Sequence, residues 1–173
     1  MRAMSLAKPL VWRALVPILV SLTAVFQSWA LEVGNPPALQ GRTLAGQALN
    51  LTALRGKVVL VVFWSTECAV CRDKMPELRA NAKGWNSSPF ELVTVSVDRR
   101  QKDALAYDQL VVETIPMLRP ALTLWSGDTA YRDTFGKPGR LPTSYLLDKD
   151  GHIVEKYEGR IPAQAWDRIA ELL

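Results

Sequence analysis

The strongest strand signal in the chain is Lys57–Trp64 (KVVLVVFW), whose apolar positions run consecutively instead of alternating. A strand that is apolar on both faces is covered on both, so a central sheet strand is predicted here. Upstream, Ala38–Leu51 (ALQGRTLAGQALNL) carries short apolar stretches around Gly41 and Ala45-Gly46-Gln47, a hairpin pattern. Thr52 is placed to cap a single helical turn through Leu54, which Arg55-Gly56 ends. After the central strand the period changes. Over 69–83, Val70, Met75, Leu78 and Ala82 recur at helical spacing, with Arg72, Asp73, Lys74, Glu77 and Arg79 on the wet side and Pro76 as a kink. Glu91–Asp98 (ELVTVSVD) predicts a second strand, and Gln101–Val112 a helix that buries Ala104, Leu105, Tyr107 and Leu110. Glu113–Pro120 shows no clean period, and Ala121–Trp125 reads as a short or edge strand. Pro142–Leu147, the turn Asp148–Gly151 (DKDG) and His152–Tyr157 form an antiparallel hairpin. A closing amphipathic helix over Ile161–Leu173 turns Ile161, Ala165, Trp166, Ile169 and Leu172 inward. This order of elements predicts an α/β domain with a mixed sheet.

Charge separates the first 30 residues from the rest. Arg2, Lys8 and Arg13 stand there without any Asp or Glu; beyond them 18 basic residues face 17 acidic ones, so the net +4 belongs largely to this leader. Behind the positive residues runs the apolar segment Leu15–Phe26, and Ser28-Trp29-Ala30 puts small residues at the −3 and −1 positions of a cut after Ala30. That is the three-part pattern of a secretory signal peptide, too short for the roughly 20 apolar residues of a spanning helix. The alternative is an uncleaved anchor over Val11–Ala30; either way the remainder is expected outside the cytoplasm, periplasmic or otherwise extracytoplasmic. The expected organisation is therefore a signal peptide or anchor at 1–30, a linker at 31–37 ending in Pro36-Pro37, and one domain at 38–173. No basic stripe interleaved with aromatics points to nucleic acid. A monomer is expected.

The chain has two cysteines, Cys68 and Cys71. An oxidising compartment permits a disulfide, but a bridge closing so short a loop adds little loop-closure entropy, and a domain of this size folds without one. Cys-x-x-Cys after a buried strand and opening a helix serves thiol chemistry better: the helix N-terminus favours a thiolate through its dipole and free N–H groups. Cys68 would then be the attacking thiol at the N-cap, and Cys71, one turn inside, would resolve the mixed disulfide. A structural metal site usually needs four ligands, and only His152 stands apart from the cysteines, so no metal is expected.

The segment Gly56–Leu78 (GKVVLVVFWSTECAVCRDKMPEL) resembles the TlpA/ResA/CcmG-like branch of the thioredoxin superfamily, where a strand ending Phe-Trp-Ala precedes Cys-Pro-Pro-Cys, a charged run and Met-Pro-Glu-Leu. Leu39–Lys57 is similar to that family's N-terminal hairpin, Leu141-Pro142-Thr143 to the loop whose cis-proline faces the cysteines, and Tyr145–Glu158 to its closing hairpin. The resemblance implies a thioredoxin-like fold: a central mixed β-sheet flanked by helices, with an N-terminal β-hairpin extension. It also implies an exported thiol–disulfide oxidoreductase acting on protein disulfides, apocytochrome c among them in cytochrome c maturation. A membrane-bound thiol–disulfide donor would re-reduce it, with no cofactor beyond the Cys68–Cys71 pair. Leu141, Pro142 and Thr143 would contact substrate, with Trp64, Glu67, Ala69 and Val70 surrounding the cysteines; an ordinary trans Pro142 opening a strand is the alternative.

Departures bear on direction. Ala69-Val70 replaces Pro-Pro, Glu67 replaces a common aromatic, and Val62 occupies the position of the buried Asp of thioredoxins. Proton transfer at Cys71 then falls to water, to substrate, or to another carboxylate such as Glu113. The expected direction is reduction of substrate disulfides; the reverse, DsbA-like donation of a disulfide or isomerisation, is the alternative. A peroxidase is less well matched, because Thr66-x-Cys68 is one residue short of Thr-x-x-Cys. A metallochaperone is also poorly matched, with only His152, Met75 and Met117 as further soft or imidazole ligands.

Overall fold

The computed structural model describes residues 35–115 and 121–173, so the predicted leader lies outside the described residues, as does 116–120 within the segment that showed no period. Among the described residues no helix is long and apolar enough to cross a membrane. A five-stranded mixed sheet forms the centre, with helices against it. Its strands are β3 (Val58–Trp64), β4 (Phe90–Ser96), β5 (Leu122–Trp125), β7 (Thr143–Leu147) and β8 (Ile153–Glu158), arranged β5-β4-β3-β7-β8. β3 runs parallel to β4 and antiparallel to β7, with Val62 opposite Thr94 on one side and Ser144 on the other. Every residue of β3 is buried, as its unbroken apolar run requires.

Side chains alternate along β3 and so feed two different cores. Val58, Leu60 and Val62 meet Leu78 of α1 (Ala69–Gly84) and Ile169 of α3 (Gln164–Leu172). Val59, Val61 and Phe63 meet Leu39 of β1 (Leu39–Arg42) and Leu49 of β2 (Ala48–Asn50). The predicted hairpin is thus the cover of one sheet face. A two-residue strand β6 (Arg132–Asp133), which no pattern announced, pairs with β1 to complete a second sheet, β2-β1-β6. The Leu44 N–H donates to the Thr123 carbonyl at 2.7 Å and stitches this layer to edge strand β5.

Three local expectations are corrected. The turn over Leu51–Leu54 is a 3-10 helix capped two residues earlier than expected, by Asn50, whose side chain accepts from the Thr52 N–H at 3.0 Å. In α1, Val70 is 40% exposed and Arg79 only 2%, the reverse of the amphipathic reading. Leu78 faces the sheet; Arg79, about 100° further round the helix, meets Asp108 of α2 (Gln101–Thr114) instead of water. In α2 the buried residues are Ala104 and Val111, two turns apart, which leaves the neighbouring Leu110 58% exposed.

Candidate active site

β3 ends at Trp64, and the turn Ser65-Thr66-Glu67 carries the chain into α1 with Cys68 as its N-cap. The Cys68 backbone is extended (φ −88°, ψ 106°), and its Sγ accepts the Cys71 N–H at 3.1 Å. This N–H is among those a helix start leaves without an intrahelical partner, and a sulfur there is positioned for thiolate stabilisation. Cys68 and Cys71 form a disulfide with Cα atoms 5.2 Å apart. Cys71 is 2% exposed while Cys68 is half-buried, so the two sulfurs differ in access.

Trp64, Cys71 and Met75 form a buried cluster against which Cys68, Tyr107 and Leu141 pack. Leu141, from the far side of the sequence, is therefore brought to the cysteines, and the Leu141–Pro142 bond is cis. Pro142 is held from the other side, its carbonyl accepting the Gly159 N–H at 2.7 Å. Thr143 opens β7, is buried, and pairs with Phe63 of β3. Of the remaining expected residues, Glu67, Ala69 and Val70 are exposed on the cysteine loop and first helical turn. Val62 lies in the apolar core beneath α1, and Glu113 is exposed near the end of α2, outside the group packed on Cys71. The suggested route from Glu113 to Cys71 thus has no contact to support it.

Two further residues shape the site. The Tyr107 ring lies 5.1 Å from that of Trp64, and its hydroxyl donates to the Arg72 carbonyl, just beyond Cys71, at 2.8 Å. Burial holds the Tyr107 hydroxyl above the ordinary tyrosine range. Asp98, just past β4, is buried and accepts hydrogen bonds from Ser65 and Thr66. Its one advance signal was its place at the carboxyl end of a strand parallel to β3, where α/β sheets build their sites. Among the described residues no group of three or more His, Cys, Asp or Glu side chains converges as a metal site.

A mixed sheet with a Cys-x-x-Cys disulfide at the start of a helix, faced by a cis X–Pro bond, defines a thioredoxin-fold protein. The chain belongs to the AhpC/TSA family, whose model matches residues 34–167. Over 116 residues it is 31% identical to the thiol-disulfide oxidoreductase ResA of Bacillus cereus, covering 67% of this chain and 63% of that protein. The match thus spans just under two thirds of that relative's length. The thioredoxin-like protein YneN of Bacillus subtilis is 26% identical, with 91% of this chain and 96% of that protein covered. A crystal structure of a thiol:disulfide interchange protein of the thioredoxin family from Chlorobium tepidum superposes with a TM-score of 0.59 at 23% identity, covering 80% of this chain and 96% of the other.

Proposed function

We propose that this protein is an extracytoplasmic dithiol reductase of protein disulfides. The observation that carries the reading is the asymmetry of the cysteine pair: Cys68 half-buried at the N-cap of α1, Cys71 buried behind it. In the reduced protein the Cys68 thiolate attacks a substrate disulfide, forming a mixed disulfide and releasing one substrate thiolate. Cys71 then attacks Cys68 Sγ, the second substrate thiolate leaves, and the pair ends as the Cys68–Cys71 disulfide. Two electrons have passed to the substrate, and no cofactor beyond the pair takes part. A membrane-bound dithiol donor restores the reduced form by the same exchange in reverse.

Leu141 and Pro142 supply the docking edge for an extended substrate segment, with Thr143 anchoring the loop to β7 and exposed Ala69 and Val70 adding apolar contact. Export rests on the leader pattern Arg2–Ala30, and substrates among apocytochrome c cysteines rest on the resemblance of Gly56–Leu78 to the TlpA/ResA/CcmG-like branch. Trapping tests the reading. Cys71→Ser in the reduced full chain accumulates mixed disulfides through Cys68 with exported thiol proteins, whereas Cys68→Ser gives none. Equal trapping by both variants contradicts the assignment of roles.

A further inference from the structure

Asp98 is 6% exposed, and among the described residues no cation pairs with its carboxylate. A buried carboxylate without a cation is costly unless hydrogen bonds replace its hydration, and here the donors come from the loop that carries Cys68. Oδ1 accepts the Ser65 hydroxyl at 2.7 Å and both the N–H and the hydroxyl of Thr66 at 2.8 Å. Oδ2 accepts the Ser96 hydroxyl at 2.8 Å, while Ser96 Oγ accepts the Asp98 N–H at 3.1 Å. The Asp98 carbonyl accepts Trp125 Nε1–H at 2.7 Å, so backbone and side chain are both fixed to the sheet. From Ser65 the chain of bonds continues to the cysteine: Ser65 Oγ accepts the Glu67 N–H and the Ser65 carbonyl accepts the Cys68 N–H, each at 3.1 Å.

We infer that Asp98 is a positioning residue for the redox pair: its carboxylate clamps the Ser65–Thr66 turn and so holds Cys68 Sγ at the N-cap, against the Cys71 N–H. The inference rests on Cys68 being the attacking thiol. Loosening the clamp lets the sulfur leave its donor, which disfavours the thiolate. Charge alone predicts the opposite, because removing a nearby negative group favours the thiolate. The two influences therefore separate by substitution. Ser65→Ala with Thr66→Val keeps the carboxylate and removes two of its loop donors. Asp98→Asn removes the charge and keeps an Oδ1 acceptor for the same donors.

The experiment follows alkylation of the reduced full-length protein by iodoacetamide across pH, with the modified residue assigned by mass spectrometry and folding followed by circular dichroism. The double variant is expected to slow Cys68 alkylation at pH 7 about three- to tenfold and to move the midpoint of the profile up by about half to one pH unit, with the high-pH plateau unchanged. Asp98→Asn is expected to react within about twofold of the parent, or faster. Should the double variant not fold, Ser65→Ala alone carries the same direction of change. A double-variant profile superimposable on the parent, or with its midpoint moved down in pH, overturns the inference. Alkylation of Cys71 in place of Cys68 refutes the assignment of the attacking thiol; alkylation at Cys68 with an unchanged profile refutes only the role of Asp98.

Discussion

Arg79 is the most exacting place to test the packing of α1. Its side chain is 1% exposed and pairs through Nη2 with Asp108, itself 18% exposed, while Nε and Nη1 have no hydrogen-bond partner among the described residues. Asp108→Ala therefore leaves a buried guanidinium with no carboxylate at all. Removing one partner of a buried pair costs about 3–5 kcal/mol, and the partial exposure of Asp108 places this case near the lower end, at about 3 kcal/mol. For a domain of this size that is a fall in Tm of about 6–12 °C. Adding Arg79→Met removes the orphaned charge and fills the volume of its stem, so the double variant should recover about 2 kcal/mol or more of the loss. Urea unfolding of the oxidised protein, followed by circular dichroism with the m-value checked for constancy, measures both. A loss below about 1 kcal/mol for Asp108→Ala, or a double variant less stable than the single, would refute this account of the α1–α2 contact.

Gly41→Ala places a Cβ 2.9 Å from Leu124 Cδ2 and 3.4 Å from Tyr131 Cα, so either the buried Leu124 side chain or the hairpin must shift. A loss of about 1–2 kcal/mol in urea unfolding is expected. Tyr107→Phe keeps the ring against Trp64 but loses the hydroxyl's bond to the Arg72 carbonyl, a loss of about 1 kcal/mol by the same measurement. Burial first, and the Asp133 carboxylate second, hold the Tyr131 hydroxyl far above the ordinary tyrosine value. The unfolded chain releases that proton near pH 10 while the folded one keeps it, so stability is intact below about pH 10 and falls as pH rises beyond it. Tyr131→Phe should flatten this alkaline decline in unfolding measured between about pH 9 and 11.5, and an unchanged slope contradicts it.

What the sequence made legible was local. β3 declared itself because all seven of its residues are apolar and all are buried, and the hairpins because Gly46 and Gly151 occupy turns with positive φ. The cysteine loop followed from its place between a buried strand and a helical period. Arg79 was misread because periodicity identifies a helix's wet face by charge and cannot foresee a second helix offering Asp108. Leu110 failed for the related reason that α2 buries a stripe only as wide as Ala104 and Val111. Asp98 looked like the polar end of a strand; its meaning comes from Ser65 and Thr66, 33 and 32 residues away, which no local pattern couples. β6 is two residues long and exists because Leu39 and Gln40 offer it an open edge.

The central claim is that the Cys68–Cys71 couple reduces its substrates, and its reduction potential decides the direction. Equilibrating the full-length protein at pH 7 in graded thiol–disulfide buffers, with quenching and mass counting of free thiols, gives that potential directly. A value at or below about −220 mV, in the range of glutaredoxins and thioredoxin, is the predicted result. A value above about −150 mV would contradict it, because so oxidising a couple donates its disulfide instead.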